Sequence, residues 1–195
     1  MISGMYMGEI VRLTILDLMH KDLVFVSHQD KYGDIKTPLF MRGGFYTKYV
    51  STVETDEGVG FSNTRRVLAD IGIQNATFDD CTIIQHVCKN VSKRAARLSA
   101  AGLAVIINRI NRPAITVGVD GSVYRYHPRF KKNMEKSMKD LVNRNIKVRH
   151  ASFARLGYEL SLLVLPAIGR RWFGHRRRAH RGSRGLRQSR GHASG

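Results

Sequence analysis

Apolar residues recur at helical spacing along much of the chain, and the strongest pattern lies near its middle. Between Asn75 and Asn111 the apolar positions fall on one stripe. Thr77 followed by Asp80 three residues later is typical of a capping box, in which each side chain binds the other's backbone N–H. We therefore predict a long helix with one buried face. The stripe comprises Ile84, Val87, Cys88, Val91, Ala95, Leu98 and Ala101.

Shorter helices are predicted over residues 5–18, 46–54, 62–71 and 128–141. Ser62 is placed to cap the third of these, Gly72 to end it, and Pro128 suits the first turn of the fourth. Residues 27–44 mix Asp, Lys, Gly and Pro without a period, which predicts an extended loop.

Two runs of residues typical of β-strands lie on either side of a dipeptide that favours a turn. Ala114–Val119 and Ser122–Tyr126 are separated by Asp120-Gly121, a dipeptide that tolerates the positive φ angles of a tight turn. The pattern predicts a β-hairpin. A further strand is expected over Asn145–Val148.

The charge changes this picture because it is unevenly placed. The formal net charge of +18 would suggest an anionic partner, yet residues 149–195 hold 11 Arg and a single acidic residue, Glu159. Residues 1–148 carry only a net +8, and the chain as a whole is 43% hydrophobic. We predict a globular α/β region at 1–148 and a disordered basic tail at 149–195.

The two cysteines predict a cellular compartment rather than a site. Cys81 and Cys88 share one helix face, and neither has His or Cys neighbours at metal-ligand spacing. Core thiols in a reduced, cytoplasmic protein are expected, with no metal site. The first residues lack the basic region and apolar run of a secretory signal, and the apolar stretch 161–168 is too short to span a bilayer, so we expect neither export nor membrane insertion.

Four ordered segments resemble one family. MISGMYMGEIVR, GGFYTKYVSTVETD, CKNVSKRAARLSAAGLA and ITVGVDGSVYRYHPRF resemble, in order and spacing, the C-terminal part of the large lobe of eukaryotic hexokinases. The resemblance implies a partial actin-like, ribonuclease-H-like lobe. It also implies transfer of the γ-phosphoryl group of MgATP to the 6-hydroxyl of glucose or another hexose, the first step of glycolysis.

The resemblance further implies an ATP-binding role for three segments. The residues concerned are Gly4, Met5, Thr47, Lys48, Tyr49, Val50, Ser51, Asp120, Gly121, Ser122, Val123 and Tyr124. Hydroxyls and a lysine ammonium suit phosphate oxygens, and glycines allow the backbone to approach a ligand. Taken without the family, Thr47 is a helix cap, Lys48 a solvated charge and Asp120-Gly121 a plain turn.

The family's remaining machinery is expected upstream of Met1. This includes the catalytic Asp, the phosphate-binding strand turn and the sugar-binding Asn and Glu residues, so no catalytic or sugar-binding residue is assigned here. We expect the chain to be truncated and inactive alone, with hexose bound only when those segments are present.

The tail departs from the family in a way that the genetic code can explain. Back-translating residues 168–182 and reading one nucleotide later gives codons compatible with Gly-Ser-Gly-Thr-Ala-Ala-Ala-Leu-Ile-Ala. That run resembles the glycine-rich loop and final helix of hexokinases, so we expect a frameshifted C-terminus. Two alternatives stay open: the chain is a basic nucleic-acid-binding protein that acts through its Arg-rich tail, or it is a non-functional remnant. Weak, non-specific binding of nucleic acid by the tail is expected in either case.

Overall fold

The computed structural model describes residues 2–26, 37–152 and 162–166. The helices are α1 Met7–His20, α2 Thr47–Glu54, α3 Ser62–Asp70, α4 Phe78–Ile110, α5 Ser122–Tyr126 and α6 Phe130–Leu141, and a 3-10 turn covers Pro38–Phe40. The strands are β1 Ala114–Val119, β2 Lys147–Ser152 and β3 Leu162–Pro166. Most of the predicted loop at 27–44 and of the predicted tail lies outside the described residues.

Helix α4 is the centre of the fold, and α1, α2, α3 and α6 pack against it. Its capping box is confirmed: the Asp80 N–H donates to the Thr77 hydroxyl at 3.1 Å, and the Thr77 N–H donates to Asp80 Oδ2 at 2.9 Å. Leu98, placed on the buried stripe by the sequence, is instead 41% exposed. A straight helix drifts relative to a seven-residue spacing, so the buried face passes to Ala96, Ala100, Leu103 and Ile107.

Strand β1 lies between the other two strands of a small mixed sheet. It pairs in parallel with β2, in the register Ala114 opposite Lys147, and antiparallel with β3, with Ile115 opposite Pro166. Helices α5 and α6 form the connection from β1 to its parallel neighbour, as parallel pairing requires. Ile115, a residue of β1, is buried in the same core as α4.

The predicted hairpin is wrong because residues 122–126 form a helix and both edges of β1 are taken by other strands. Asp120-Gly121 does turn the chain, with Gly121 at φ 135°. The turn leads into α5, however, where the Asp120 carboxyl accepts from the Gly121 N–H at 2.9 Å and from the Arg125 side chain. The Asp side chain therefore stabilises a strand-to-helix turn.

The cap assigned to Ser62 is also wrong. Phe61, at φ 48°, precedes α3 and makes no side-chain cap, and Ser62 is already helical. The first amides of α3 are bound from a distance by Asp56, whose two carboxyl oxygens accept from the Asn63 N–H at 3.1 Å and the Thr64 N–H at 2.7 Å. A carboxyl here also suits the positive end of the helix dipole.

The strand expected at 145–148 starts later and runs further, to Ser152. The predicted boundary at 148 therefore falls inside β2, and residues 162–166 of the predicted tail form β3.

Candidate functional site

Three of the predicted segments meet where α1 begins. The Gly8 N–H donates to the Thr47 hydroxyl at 3.0 Å, which joins the starts of α1 and α2. Gly4 lies in the turn before α1 and faces the start of α5: a Cβ added there would stand 3.0 Å from Val123 Cγ2 and 4.0 Å from Ser122 Oγ. We call these five residues the helix-start junction.

Gly8 makes the closest approach in the junction, and sequence reasoning did not single it out. A Cβ at Gly8 would overlap the Phe45 carbonyl oxygen and lie 2.8 Å from the Thr47 nitrogen. Only glycine lets the two backbones approach this closely. The signal was a glycine inside an amphipathic helix, where it costs about 1 kcal/mol relative to alanine.

The segment Thr47–Ser51 forms the first turns of α2, and its members differ in exposure. Lys48 is exposed, with its ammonium 5.2 Å from the Tyr46 ring centre and 5.3 Å from that of Tyr49. Burial, and then the charge of Asp70, raise the pKa of Tyr49. Val50 is completely buried and belongs to the core, whereas Ser51 is half-buried.

The segment Asp120–Tyr124 also divides into buried and exposed members. Asp120 is only 4% exposed, and its Oδ2 has no hydrogen-bond partner among the described residues. Gly121 and Val123 are half-buried and Ser122 is exposed. Burial, and then the neighbouring Glu135, raise the pKa of the buried Tyr124 to about 12.

Gly4 and Met5 lie in the turn that precedes α1 rather than in the helix itself. The Tyr6 N–H donates to the Ser3 carbonyl at 3.0 Å and closes this turn. Met5 is 83% exposed, so its side chain contributes little to the core.

A network of charged groups supports the junction from one side. The Arg12 guanidinium donates to both carboxyl oxygens of Glu9, at 2.7 and 2.8 Å, and to the Leu39 carbonyl at 3.1 Å. The Gly43 N–H donates to Glu9 Oε2 at 2.9 Å. The Arg12 hydrogen bond, together with the Gly43 N–H, lowers the pKa of Glu9 to about 2 against the effect of burial. The loop before α2 is thereby fastened to α1.

A second polar group, which the sequence did not reveal, lies in the core below the junction. It consists of Glu54, Ser92 and His127, each no more than 4% exposed, and we call it the buried polar cluster. The Ser92 hydroxyl donates to Glu54 Oε1 in a short hydrogen bond, and His127 Nε2 lies 3.4 Å from the same oxygen. The signal was Glu54 about two turns after Thr47, on the buried face of α2.

Both cysteines are buried and free, as the sequence predicted. Burial, and then the nearby Glu54, raise the pKa of the Cys88 thiol, and burial also raises that of Cys81. Neither thiol is activated as a nucleophile.

Comparison with known proteins assigns a family to this arrangement. The hexokinase family model matches residues 1–154. The chain belongs to the hexokinase family. It is 40% identical to Hexokinase-1 of Pongo abelii over 147 residues, and 34% identical to a hexokinase of Brugia malayi over 149 residues. These matches cover 72% and 76% of the chain respectively.

A solved hexokinase confirms the fold class. The hexokinase of Schistosoma mansoni, complexed with glucose, superimposes with a TM-score of 0.69 and 35% identity over 76% of this chain. The α/β, actin-like fold expected from the resemblance is thus confirmed. The chain spans 15% of the Pongo abelii hexokinase, 25% of the Brugia malayi one and 32% of the Schistosoma mansoni one.

Membrane-spanning helices and metal clusters are both absent from the described residues of this hexokinase-family region. None of its helices combines the length and the apolar character that crossing a bilayer requires. In the same residues, no three His, Cys, Asp or Glu side chains come together to hold a metal ion.

Proposed function

We propose that this hexokinase-family chain forms part of the nucleotide-binding face of an enzyme that transfers the γ-phosphoryl group of ATP to the 6-hydroxyl of a hexose, glucose included. One observation carries the proposal. Gly4, Thr47 and Val123 are far apart in sequence, yet their segments meet at the helix-start junction. Ligand sites are commonly built in this way from turns held by a rigid scaffold.

Exposed side chains in and beside the junction supply the chemistry that a nucleotide requires. The Lys48 ammonium would offset phosphate charge, and the Ser122 hydroxyl would bind a phosphate or ribose oxygen. Gly121 has no side chain that would keep a ligand from its backbone, whereas Gly4 lets the turn before α1 approach Val123 closely. Val50 and Tyr124 are buried, so in this proposal they hold the segments in place rather than touch ATP.

Among the described residues no cluster of three metal-ligating side chains could hold Mg²⁺ by itself. Asp120 has an unpartnered carboxyl oxygen, but no group of three metal-ligating side chains surrounds it in this part of the chain. Mg²⁺ keeps several waters and commonly binds through substrate phosphates with one or two carboxylates. The ion would therefore arrive with ATP.

Binding and catalysis are expected to separate in this chain. Phosphoryl transfer needs a base for the attacking hydroxyl and a positioned sugar, and none of the proposed residues supplies either. We expect the 195-residue chain to bind ADP without producing ADP from ATP in a glucose-dependent way. The free, buried Cys81 and Cys88 favour the cytoplasm as the compartment. Nucleic-acid binding by the Arg-rich tail, residues 149–195, stays a hypothesis, since most of the tail lies outside the described residues.

Calorimetric titration of the chain with MgADP tests the proposal. We expect saturable binding, weakened by Ser122→Asp because the new carboxylate repels phosphate at an exposed position. Thr82→Asp adds the same charge at an exposed position of α4 and should leave the affinity unchanged. A folded chain that gives no saturable heat with MgADP, or equal weakening by both variants, would overturn the proposal.

A further inference from the structure

The buried polar cluster links α2 to the end of α5, two of the helices whose starts meet at the helix-start junction. Glu54 is the last residue of α2, the helix that begins at Thr47. His127 directly follows α5, the helix that begins at Ser122. The two predicted nucleotide segments both lie against the start of α1 and the turn before it, and the residues Glu54 and His127 that follow them meet in the core.

The orientation of His127 is fixed by its other ring nitrogen. Nδ1 accepts from the Arg129 N–H at 3.3 Å and from the Phe130 N–H at 3.2 Å, at the start of α6. In a neutral ring the hydrogen is therefore on Nε2, the atom that faces Glu54 Oε1. The 3.4 Å contact does not meet hydrogen-bond geometry, so it is an electrostatic contact between a donor and an acceptor.

The Glu54 carboxyl is held from the opposite side by α4. Ser92 is completely buried there, and its hydroxyl donates to Glu54 Oε1, with the Lys89 carbonyl oxygen as a second, longer acceptor of the same hydrogen at 3.2 Å. Electrostatic contacts are stronger in such a water-excluded place, and a misplaced buried polar atom is costly. Glu54 therefore has one favourable position, which fixes the end of α2 against the central helix.

We propose that Glu54, Ser92 and His127 are positioning residues that set the distance between the segments Thr47–Ser51 and Asp120–Tyr124, and so set the affinity for the nucleotide. The inference rests on the proposed function, because it assigns a role to residues that support that site. The three side chains lie in the core and do not themselves contact the ligand.

Two substitutions of His127 separate positioning from packing. In His127→Asn the amide oxygen stands near the place of Nδ1 and can still accept from the start of α6, but nothing reaches Glu54. In His127→Gln the longer side chain brings an amide N–H to the place of Nε2. A distant core variant, Ile107→Val, controls for loss of stability, because Ile107 is completely buried near the other end of α4.

The first measurement is MgADP affinity by calorimetry, with thermal unfolding of each variant. We expect His127→Asn to weaken binding roughly tenfold, and His127→Gln to restore most of the affinity. Ile107→Val should lower the unfolding temperature without changing affinity. Equal affinity of His127→Asn and the unsubstituted chain, or a loss in Ile107→Val proportional to its loss of stability, would overturn the inference.

A second measurement keeps the inference testable when the unsubstituted chain binds no MgADP, a result that would overturn the proposed function alone. Amide hydrogen exchange reports the position of α2 without any ligand. His127→Asn should speed exchange across α2, on an element that does not contain the substitution, whereas His127→Gln should not. Faster exchange confined to α5 and α6 would show that no link to α2 exists.

Discussion

The helix-start junction and the buried polar cluster connect the same two helices by opposite means. At the junction, Gly8 of α1 lies against the backbone of Phe45 and Thr47, and Gly4, in the turn before α1, lies against the side chain of Val123. Lys48 and Ser122 are exposed there. In the cluster, α2, α4 and the residue that follows α5 meet through the buried side chains of Glu54, Ser92 and His127. Exposed side chains therefore lie at the junction, whereas the side chains of the cluster are closed to solvent.

The difference separates two requirements of a binding site. Glycine contacts leave exposed amides and hydroxyls free to face a ligand, but they provide little side-chain packing of their own. A buried carboxyl, hydroxyl and imidazole specify one arrangement but are closed to any ligand. A face that must be both open and well positioned needs both kinds of contact, which explains why buried polar side chains accompany the exposed ones.

The largest effect is expected from adding a single methyl group at Gly8, in the junction. Gly8→Ala forces its Cβ against the Phe45 carbonyl and the Thr47 nitrogen, which are backbone atoms that cannot move aside. We expect the free energy of unfolding to fall by about 3 kcal/mol, the upper end of the cost of overpacking, and MgADP binding to be lost. Urea unfolding and calorimetry measure the two effects.

Gly102→Ala provides the matched control, because a Cβ at Gly102 in α4 meets nothing within 4 Å. It should raise stability by about 1 kcal/mol through helix propensity alone. If Gly8→Ala were as well tolerated, the close approach of α1 and α2 would not hold in solution, and the contrast between the junction and the cluster would fail.

Sequence reasoning predicted the helices better than it predicted contacts between distant residues. Helix α4 was placed within a few residues because both its capping box and its periodicity are local signals. The partners of β1 were not predictable, because its parallel neighbour arrives only after α5 and α6. The cap of α3 by Asp56 was missed because the local pattern offered Ser62.

The candidate site shows the same limit. The resemblance to hexokinases marked the three segments, yet it did not indicate that Val50 and Tyr124 are buried while Lys48 and Ser122 are exposed. Gly8 has no side chain, so reasoning from side-chain chemistry does not identify it. Exposure depends on how elements pack, which a residue's own neighbours in sequence do not determine.

An intermediate effect is expected from acid, which protonates Glu9 and so weakens its contact with Arg12 beside the junction. The folded-state pKa of Glu9 is about 2, below its ordinary value of 4.5. Its contribution is therefore fully present above pH 4.5 and is lost as the pH falls toward 2. We expect that contribution to be about 2 kcal/mol, reduced from the full shift because the side chain is partly exposed.

Urea unfolding across this range, with Glu9→Gln as the variant, measures the contribution. The difference between the two proteins should shrink as the pH falls. Asp17→Asn is the control, because the Asp17–Lys21 pair on the same helix is well exposed and should contribute little. A difference that stays constant down to pH 2 would show that the Glu9 carboxyl is not held by Arg12.

The smallest effect on the fold is expected from Lys48→Met, which tests directly whether the exposed side chains beside the junction bind the nucleotide. The substitution keeps the length of the side chain and removes its charge. Because Lys48 is exposed, the free energy of unfolding should change by less than about 1 kcal/mol, a figure that includes the loss of its contacts with the Tyr46 and Tyr49 rings. MgADP affinity should fall roughly fivefold, since a charge-assisted contact to phosphate is lost.

Lys48→Arg, which keeps the charge, should retain most of the affinity, and Lys93→Met, an exposed substitution on α4, should leave it unchanged. The loss should diminish at high salt, because added ions screen an exposed charge. If Lys48→Met binds MgADP as well as the unsubstituted chain at low salt, the exposed charge at the junction does not face the phosphates, and the ligand must lie nearer to Ser122 and Gly4.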